Sequence, residues 1–172
     1  CFKLKEYESA ASYFQKQIDT NTEDKARLAD AYLRLADCRF VGSKYWPAID
    51  NYVKAIELKS VDADYAYFQK ALCYGFLAKN DKKIVELKAF LERYKQSVYR
   101  DDVLFELGNT YVADKKDELA ITTYNQLITE FPEGTFTPKA SLRQGLEHDN
   151  DDKDDLALTK FKKIATDCPT TP

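Results

Sequence analysis

Residues 106–132, ELGNTYVADKKDELAITTYNQLITEFP, set a spacing that returns along the chain. The pair Leu107-Gly108 is followed by Tyr111, then by Ala120, Tyr124 and Pro132. Gly145 lies 37 residues beyond Gly108, and His148, Ala157, Phe161 and Pro169 follow it at the same offsets. Moving back 37 residues puts Ala71 in the glycine position, with Tyr74, Lys83, Leu87 and Lys95 behind it. A further 35 gives Ala36, Arg39, Ala48, Tyr52 and Ser60, and one more step leaves a half-unit of Cys1, Ala10, Phe14 and Thr22. A period of 35–37 with this internal spacing marks a helix-turn-helix repeat. Such a unit cannot bury its apolar face alone, so copies must stack into a solenoid.

The chemistry of each position agrees. Ala36, Ala71, Gly108 and Gly145 let the first helix of a pair come close to the second, and Ala10, Ala48, Ala120 and Ala157 do the same from the other side. The aromatic positions fill the space between pairs. Leu119, Ile121, Tyr124, Leu127 and Ile128 recur at three and four, the period of an amphipathic helix. Thr137-Pro138 reads as an N-cap followed by a first-turn proline, Asp62 as a second cap, and Pro132 and Pro169 as stops. The pattern predicts helices at 6–20, 24–41, 45–59, 62–78, 81–94, 99–113, 117–130, 137–149 and 154–167. The expected fold is all-α, one solenoid domain over 1–172 of stacked antiparallel helix pairs. It comprises a half-repeat at 1–22 and repeats at about 24–60, 62–95, 99–132 and 137–169, some four and a half in all.

Composition narrows the class of function. Charged residues are 32% and hydrophobic ones 44%, the balance of a folded chain. Net charge is -3 and no basic run stands out, which argues against nucleic acid as the partner. No apolar stretch has the length of a membrane span. Cys1, Cys38, Cys73 and Cys168 include no CxxC pair and His148 is the single histidine, so no zinc site is expected. Cys38 and Cys73 share one position in consecutive repeats. Packed helices stand about 8–10 Å apart, beyond disulfide reach, so both are expected as buried free thiols. The run HDNDDKDD at 148–155 lacks the glycine and glutamate of a calcium loop and reads as a solvated turn with Asp154 or Asp155 as a cap. Trp46-Pro47 opens a helix, with Trp46 expected on the preceding turn. No nucleophile-base constellation or phosphate loop is present, so no catalysis and no cofactor are expected.

The motif LGNTY...A...Y...P at 107–132 resembles the tetratricopeptide repeat, and the resemblance extends over essentially the whole chain. The linkers FPEGTFTPKASLRQGL and YKQSVYRDDVLFELGNTY are similar to those of bacterial cell-envelope members, among them the Tol-Pal-associated periplasmic protein and the outer-membrane assembly lipoprotein. The resemblance implies a right-handed superhelix whose concave face is lined by the first helix of each pair. That lining would be Asp30, Leu33, Asp37 and Phe40, then Tyr65, Phe68, Leu72 and Phe76, then Asp102, Phe105 and Asn109, then Lys139 and Leu142. A partner would bury apolar anchors on Tyr65, Phe68 and Phe105 and bond its backbone to Asn109. In the alternative reading, each aromatic packs between adjacent repeats. A carboxylate clamp of the kind some members carry is matched only by Asn109, Lys139 and Arg143, and its second asparagine is missing.

Departures from the pattern carry their own expectations. Lys83 and Lys95 replace the small residue and the proline of their repeat, which should splay that helix pair and soften its exit. His148 should loosen the last unit. The chain reads as a piece of a longer array, with Cys1 as a boundary rather than a lipid-bearing first residue. Without polar capping helices, its ends would favour self-association. The expected role is a non-enzymatic scaffold that binds a protein or peptide partner in the periplasm or cell envelope. The alternatives are a spacer within a long array or a regulatory segment of a larger protein.

Overall fold

The structure is a computed structural model that describes residues 2–20 and 23–150, with side chains for 5–20 and 23–146. Eight α-helices run through these residues: α1 (Phe2–Thr20), α2 (Lys25–Val41), α3 (Tyr45–Glu57), α4 (Ala63–Phe76), α5 (Asn80–Arg93), α6 (Arg100–Ala113), α7 (Asp117–Glu130) and α8 (Thr137–Asn150). The helix expected at 154–167 and the turn beyond residue 150 lie outside the described residues, as do the side chain of His148 and Cys1, Cys168 and Pro169. Two compact units form, Cys1–Tyr94 and Lys95–Pro172. In the first, each helix from α1 to α5 packs on the next; in the second, α6 packs on α7 and α7 on α8.

The small residues close the pairs as the repeat requires. Ala36, Ala48, Ala71 and Ala120 are all fully buried. In the first unit Ala36 and Ala48 sit beside Leu33, Ile49, Tyr52, Ala55, Ala66 and Cys73, with Tyr32, Phe40, Tyr65 and Tyr74 around them. A smaller core of Ala11, Ile18, Ala31, Leu35 and Cys38 joins α1 to α2. Cys38 and Cys73 are buried free thiols. Burial pushes the Cys73 thiol up to about 12, so it stays protonated and unreactive.

Three local expectations need correction. Lys83 does not splay its helix pair. Its stem crosses Gly75, where an added Cβ would lie 3.0 Å from Lys83 Cδ, and Ala71, Leu87 and Phe90 stay fully buried. Nor does Lys95 soften the exit from α5. The N–H of Tyr94 bonds to the carbonyl of Phe90 at 2.8 Å, matching Phe131 to Leu127 at 2.9 Å in α7. Neither expected cap works as one. Asp62 has ψ 37° instead of an extended backbone, and its side chain accepts no helix N–H. Thr137 is already inside α8, and its hydroxyl donates to the carbonyl of Phe131, the residue after α7. The side chain that does cap is Asp24, which accepts from the N–H groups of Ala26 and Arg27 at 3.1 Å each.

The turns within helix pairs share one geometry. Ser43, Ala78 and Lys115 have φ of 57°, 53° and 57°. In each turn the next N–H reaches back five residues, as from Lys79 to the carbonyl of Tyr74 at 2.8 Å. A side chain in this left-handed region costs about 1–2 kcal/mol that glycine avoids. Ala78→Gly is therefore expected to stabilise the chain by about 1 kcal/mol, read as a higher urea midpoint with an unchanged slope. A lower midpoint would show that the turn is held by other contacts.

Candidate partner-binding faces

Each unit presents the outer faces of its first helices. In the first unit α2 and α4 supply Asp30, Asp37, Phe40, Tyr65, Leu72 and Phe76. Asp37 accepts hydrogen bonds from the hydroxyls of Tyr52, at 2.8 Å, and Tyr65, at 3.2 Å. Arg34 lies 3.9 Å from Asp37 and 3.3 Å from Asp30, linking the two carboxylates along the helix. Phe40, Tyr45 and Phe76 pack together at the far end. Tyr45 stacks on Phe76 at 4.9 Å and Phe40 meets it edge-on at 5.5 Å. Phe76 is 61% exposed.

In the second unit α6 and α8 supply Asp102, Phe105, Asn109, Lys139 and Leu142. Phe105 stacks on Phe136 at 4.9 Å. Arg143 lies over the ring of Phe105 at 6.0 Å and Lys139 over that of Phe136 at 5.8 Å. Asn109 accepts from the hydroxyl of Tyr124 at 2.9 Å. Burial, reinforced by Asp101, raises the Asp102 carboxyl above its ordinary value.

The structure sorts the expected site residues by depth. Leu33 and Phe68 are buried in the core at 1% and 7% exposure and stand beneath the surface, out of a partner's reach. Asp37, Phe40, Tyr65, Leu72, Asp102, Phe105 and Asn109 are half-buried, and Lys139 is exposed. Asp37 and Asn109 have an internal task that the sequence reading missed. Each braces the tyrosine fifteen residues on, Tyr52 or Tyr124, across its helix pair. In the repeat between them the same positions hold Leu72 and Leu87, which have no side-chain polar group to form such a brace. Phe136, Tyr45 and Arg34 were also missed. Phe136 could have been found, since it repeats Tyr99 at the 37-residue period.

Asp37 has a measurable consequence. Burial raises its carboxyl above the ordinary 3.8, while the Tyr52, Tyr65 and Arg34 contacts oppose the shift without cancelling it. The buried charge subtracts stability at neutral pH. That loss disappears as pH falls through the folded value toward 3.8, where the folded and unfolded carboxyls are both protonated. Asn at this position keeps an acceptor for Tyr52, as Asn109 does for Tyr124. Asp37→Asn is expected to raise the melting temperature at pH 7 and lose that advantage as pH drops toward 4. An advantage that is constant across this range would contradict the assignment.

A cleft between α1 and α2, lined by Tyr7, Glu8, Ala11, Cys38, Arg39, Gly42 and Lys44, holds about 60 Å³. That is well short of the roughly 300 Å³ at which small-molecule sites begin. Among the described residues no three His, Cys, Asp or Glu side chains converge to hold a metal, and no helix is long and apolar enough to cross a membrane.

Stacked helix pairs that display side chains on open faces define a helical-repeat solenoid. The comparisons make this specific. Residues 102–134 match the family model for the tetratricopeptide repeat. MamA from Desulfovibrio magneticus RS-1 superposes with a TM-score of 0.74 at 16% identity, over 96% of this chain and 88% of that one. YrrB, a TPR protein with an unusual peptide-binding site, gives 0.71 at 16% identity, over 95% and 79%. The C-terminal part of a TPR repeat-containing protein from Cytophaga hutchinsonii gives 0.76 at 18% identity, over 98% and 62%. No curated protein matches the chain in sequence. The fold is thus the all-α tetratricopeptide-repeat solenoid of stacked helix pairs, a fold of protein–protein interaction scaffolds.

Proposed function

We propose that the chain is a non-enzymatic scaffold that holds a peptide or protein segment on the first-helix faces of its repeats, in the bacterial periplasm or cell envelope. The observation that carries the reading is the α6/α8 face. There a stacked aromatic pair, Phe105 and Phe136, lies beside Lys139, Arg143 and Asn109 on an open surface. Such a surface offers an apolar anchor flanked by polar groups, the composition of a binding hot spot. The peptide-binding site in the name of YrrB, which shares the fold, supports the same reading. The envelope setting rests on the likeness of the linkers to those of envelope proteins.

The test is capture from an envelope extract, crosslink mapping of the bound segment, and titration of that segment as a synthetic peptide. Phe105→Ser/Arg143→Ala, checked for unchanged helicity, is expected to bind it at least about tenfold more weakly than wild type. Equal affinity in the two chains would refute the assignment of this face.

A further inference from the structure

We propose that the hairpin edge of the first unit, formed by the α2–α3 and α4–α5 turns, docks on an anionic lipid surface. The placement of charge is the first observation. In residues 39–46 and 74–83 the cations are Arg39, Lys44, Lys79, Lys82 and Lys83, and the single carboxylate is Asp81. Lys44 is ion-paired with Glu8 of α1 at 3.9 Å. The α3–α4 turn at the opposite end of the same unit carries Glu57, Asp62 and Asp64 against Lys59. In a chain of net charge -3, this edge of the unit carries a local excess of cations.

The second observation is local. Lys44 and Lys79 occupy the N-cap positions of α3 and α5, and neither makes a side-chain cap. A cation there meets the positive end of the helix and leaves the first N–H groups without a side-chain acceptor. Asp or Asn would be more stable at both places. The equivalent Lys116 in the second unit is neutralised by Asp114 at 3.1 Å, whereas Lys79 has no ion pair among the described residues. Lysine holds this position in all three turns, and of the three only Lys79 is left without an ion pair among the described residues.

The third observation separates lipid from other polyanions. Apolar side chains stand among these cations in solvent: Val41 at 43%, Trp46 at 48% and Phe76 at 61% exposure. Trp46 is about half exposed. It meets the ring of Tyr74 edge-on at 6.2 Å, and the Lys82 ammonium lies 5.7 Å from its indole. Tryptophan and phenylalanine interleaved with lysine match the boundary between headgroups and acyl chains, where rings insert and ammonium groups meet phosphates. A nucleic-acid backbone would use the lysines but leave Val41 and Phe76 in water. Because no described helix is long and apolar enough to span, the contact is one of surface docking.

Trp46 is the single tryptophan and reports on this edge directly. The experiment follows its emission and vesicle flotation with phosphatidylcholine vesicles, with and without phosphatidylglycerol. A blue shift and flotation are expected only with the anionic vesicles, and both should weaken as salt rises. Lys44→Asp/Lys79→Asp is expected to melt at a higher temperature than wild type and to bind anionic vesicles at least about 30-fold more weakly. Gain of stability with loss of binding cannot come from misfolding. Three results would overturn the proposal: no shift and no flotation, equal binding to uncharged vesicles, or an equal Trp46 shift with duplex DNA. The last would assign the edge to polyanions in general.

Discussion

Gly108→Ala is expected to destabilise the chain by about 2 kcal/mol, although the same change in an ordinary helix interior stabilises by about 1 kcal/mol. A Cβ at residue 108 would lie 2.4 Å from Cε1 of Tyr124 and 2.8 Å from Cδ1 and Cζ. No real Cβ sits that close to a ring. Tyr124 cannot yield, because it is fully buried and its hydroxyl is tied to Asn109 at 2.9 Å. The added methyl group therefore has to push α6 and α7 apart. The preceding repeat supplies the compensation, since it holds Ala71 and Leu87 at these two positions, both fully buried. Adding Tyr124→Leu to Gly108→Ala should recover part of the loss, measured by urea unfolding followed at the helical circular dichroism band. If Gly108→Ala unfolds at the wild-type midpoint or above it, the close approach of α6 to α7 is not what selects glycine.

Glu86→Ala should cost still more, about 3–5 kcal/mol, because it strands a buried ammonium. Lys70 is 8% exposed and its ammonium meets the Glu86 carboxylate at 2.8 Å. The same ammonium lies 4.1 Å from the ring centre of Tyr67. Burial, with Glu86 adding to it, pushes the Tyr67 hydroxyl up to about 12, so at neutral pH it remains a neutral donor beside the pair. The pair is not itself a source of large stability, because desolvation offsets most of its attraction. The corresponding positions in the next repeat hold Leu107 and Thr123. Lys70→Leu/Glu86→Thr should then be as stable as wild type or more so, while Glu86→Ala alone falls well below both. Thermal unfolding of the three chains distinguishes these outcomes. A small effect of Glu86→Ala would mean that water reaches Lys70.

The two substitutions probe positions of different legibility. Gly108 announced its role in the sequence, because a small residue recurs there at a fixed period and only close helix approach requires that. Lys70 gave no such signal. Its position holds leucine in two other repeats, and nothing in the local sequence shows that Glu86, sixteen residues on, turns inward to meet it. The site divides in the same way. The first-helix residues were identified from their place in the repeat, yet Leu33 and Phe68 lie under the surface. A helical stripe about 100° wide includes both core and surface positions, and the period alone does not separate them. Asp37 and Asn109 were read as contacts for a partner, whereas their first contacts are Tyr52 and Tyr124.

What the sequence determined by itself is the order, approximate length and pairing of the described helices. Those follow from a period of 35–37, from small residues at two fixed places and from turn chemistry between them, all of it information local to one repeat. Tertiary structure alone decided how individual side chains are used. Lys83 closes its pair because Gly75 makes room for its stem, and Thr137 bonds to the end of α7 rather than capping α8. Phe105 finds Phe136, and Lys82 of α5 meets the rings of Trp46 and Tyr74. These outcomes depend on distances between residues far apart in the chain. A repeat pattern fixes which helices pack together, but the depth and partners of each side chain are set only once they have packed.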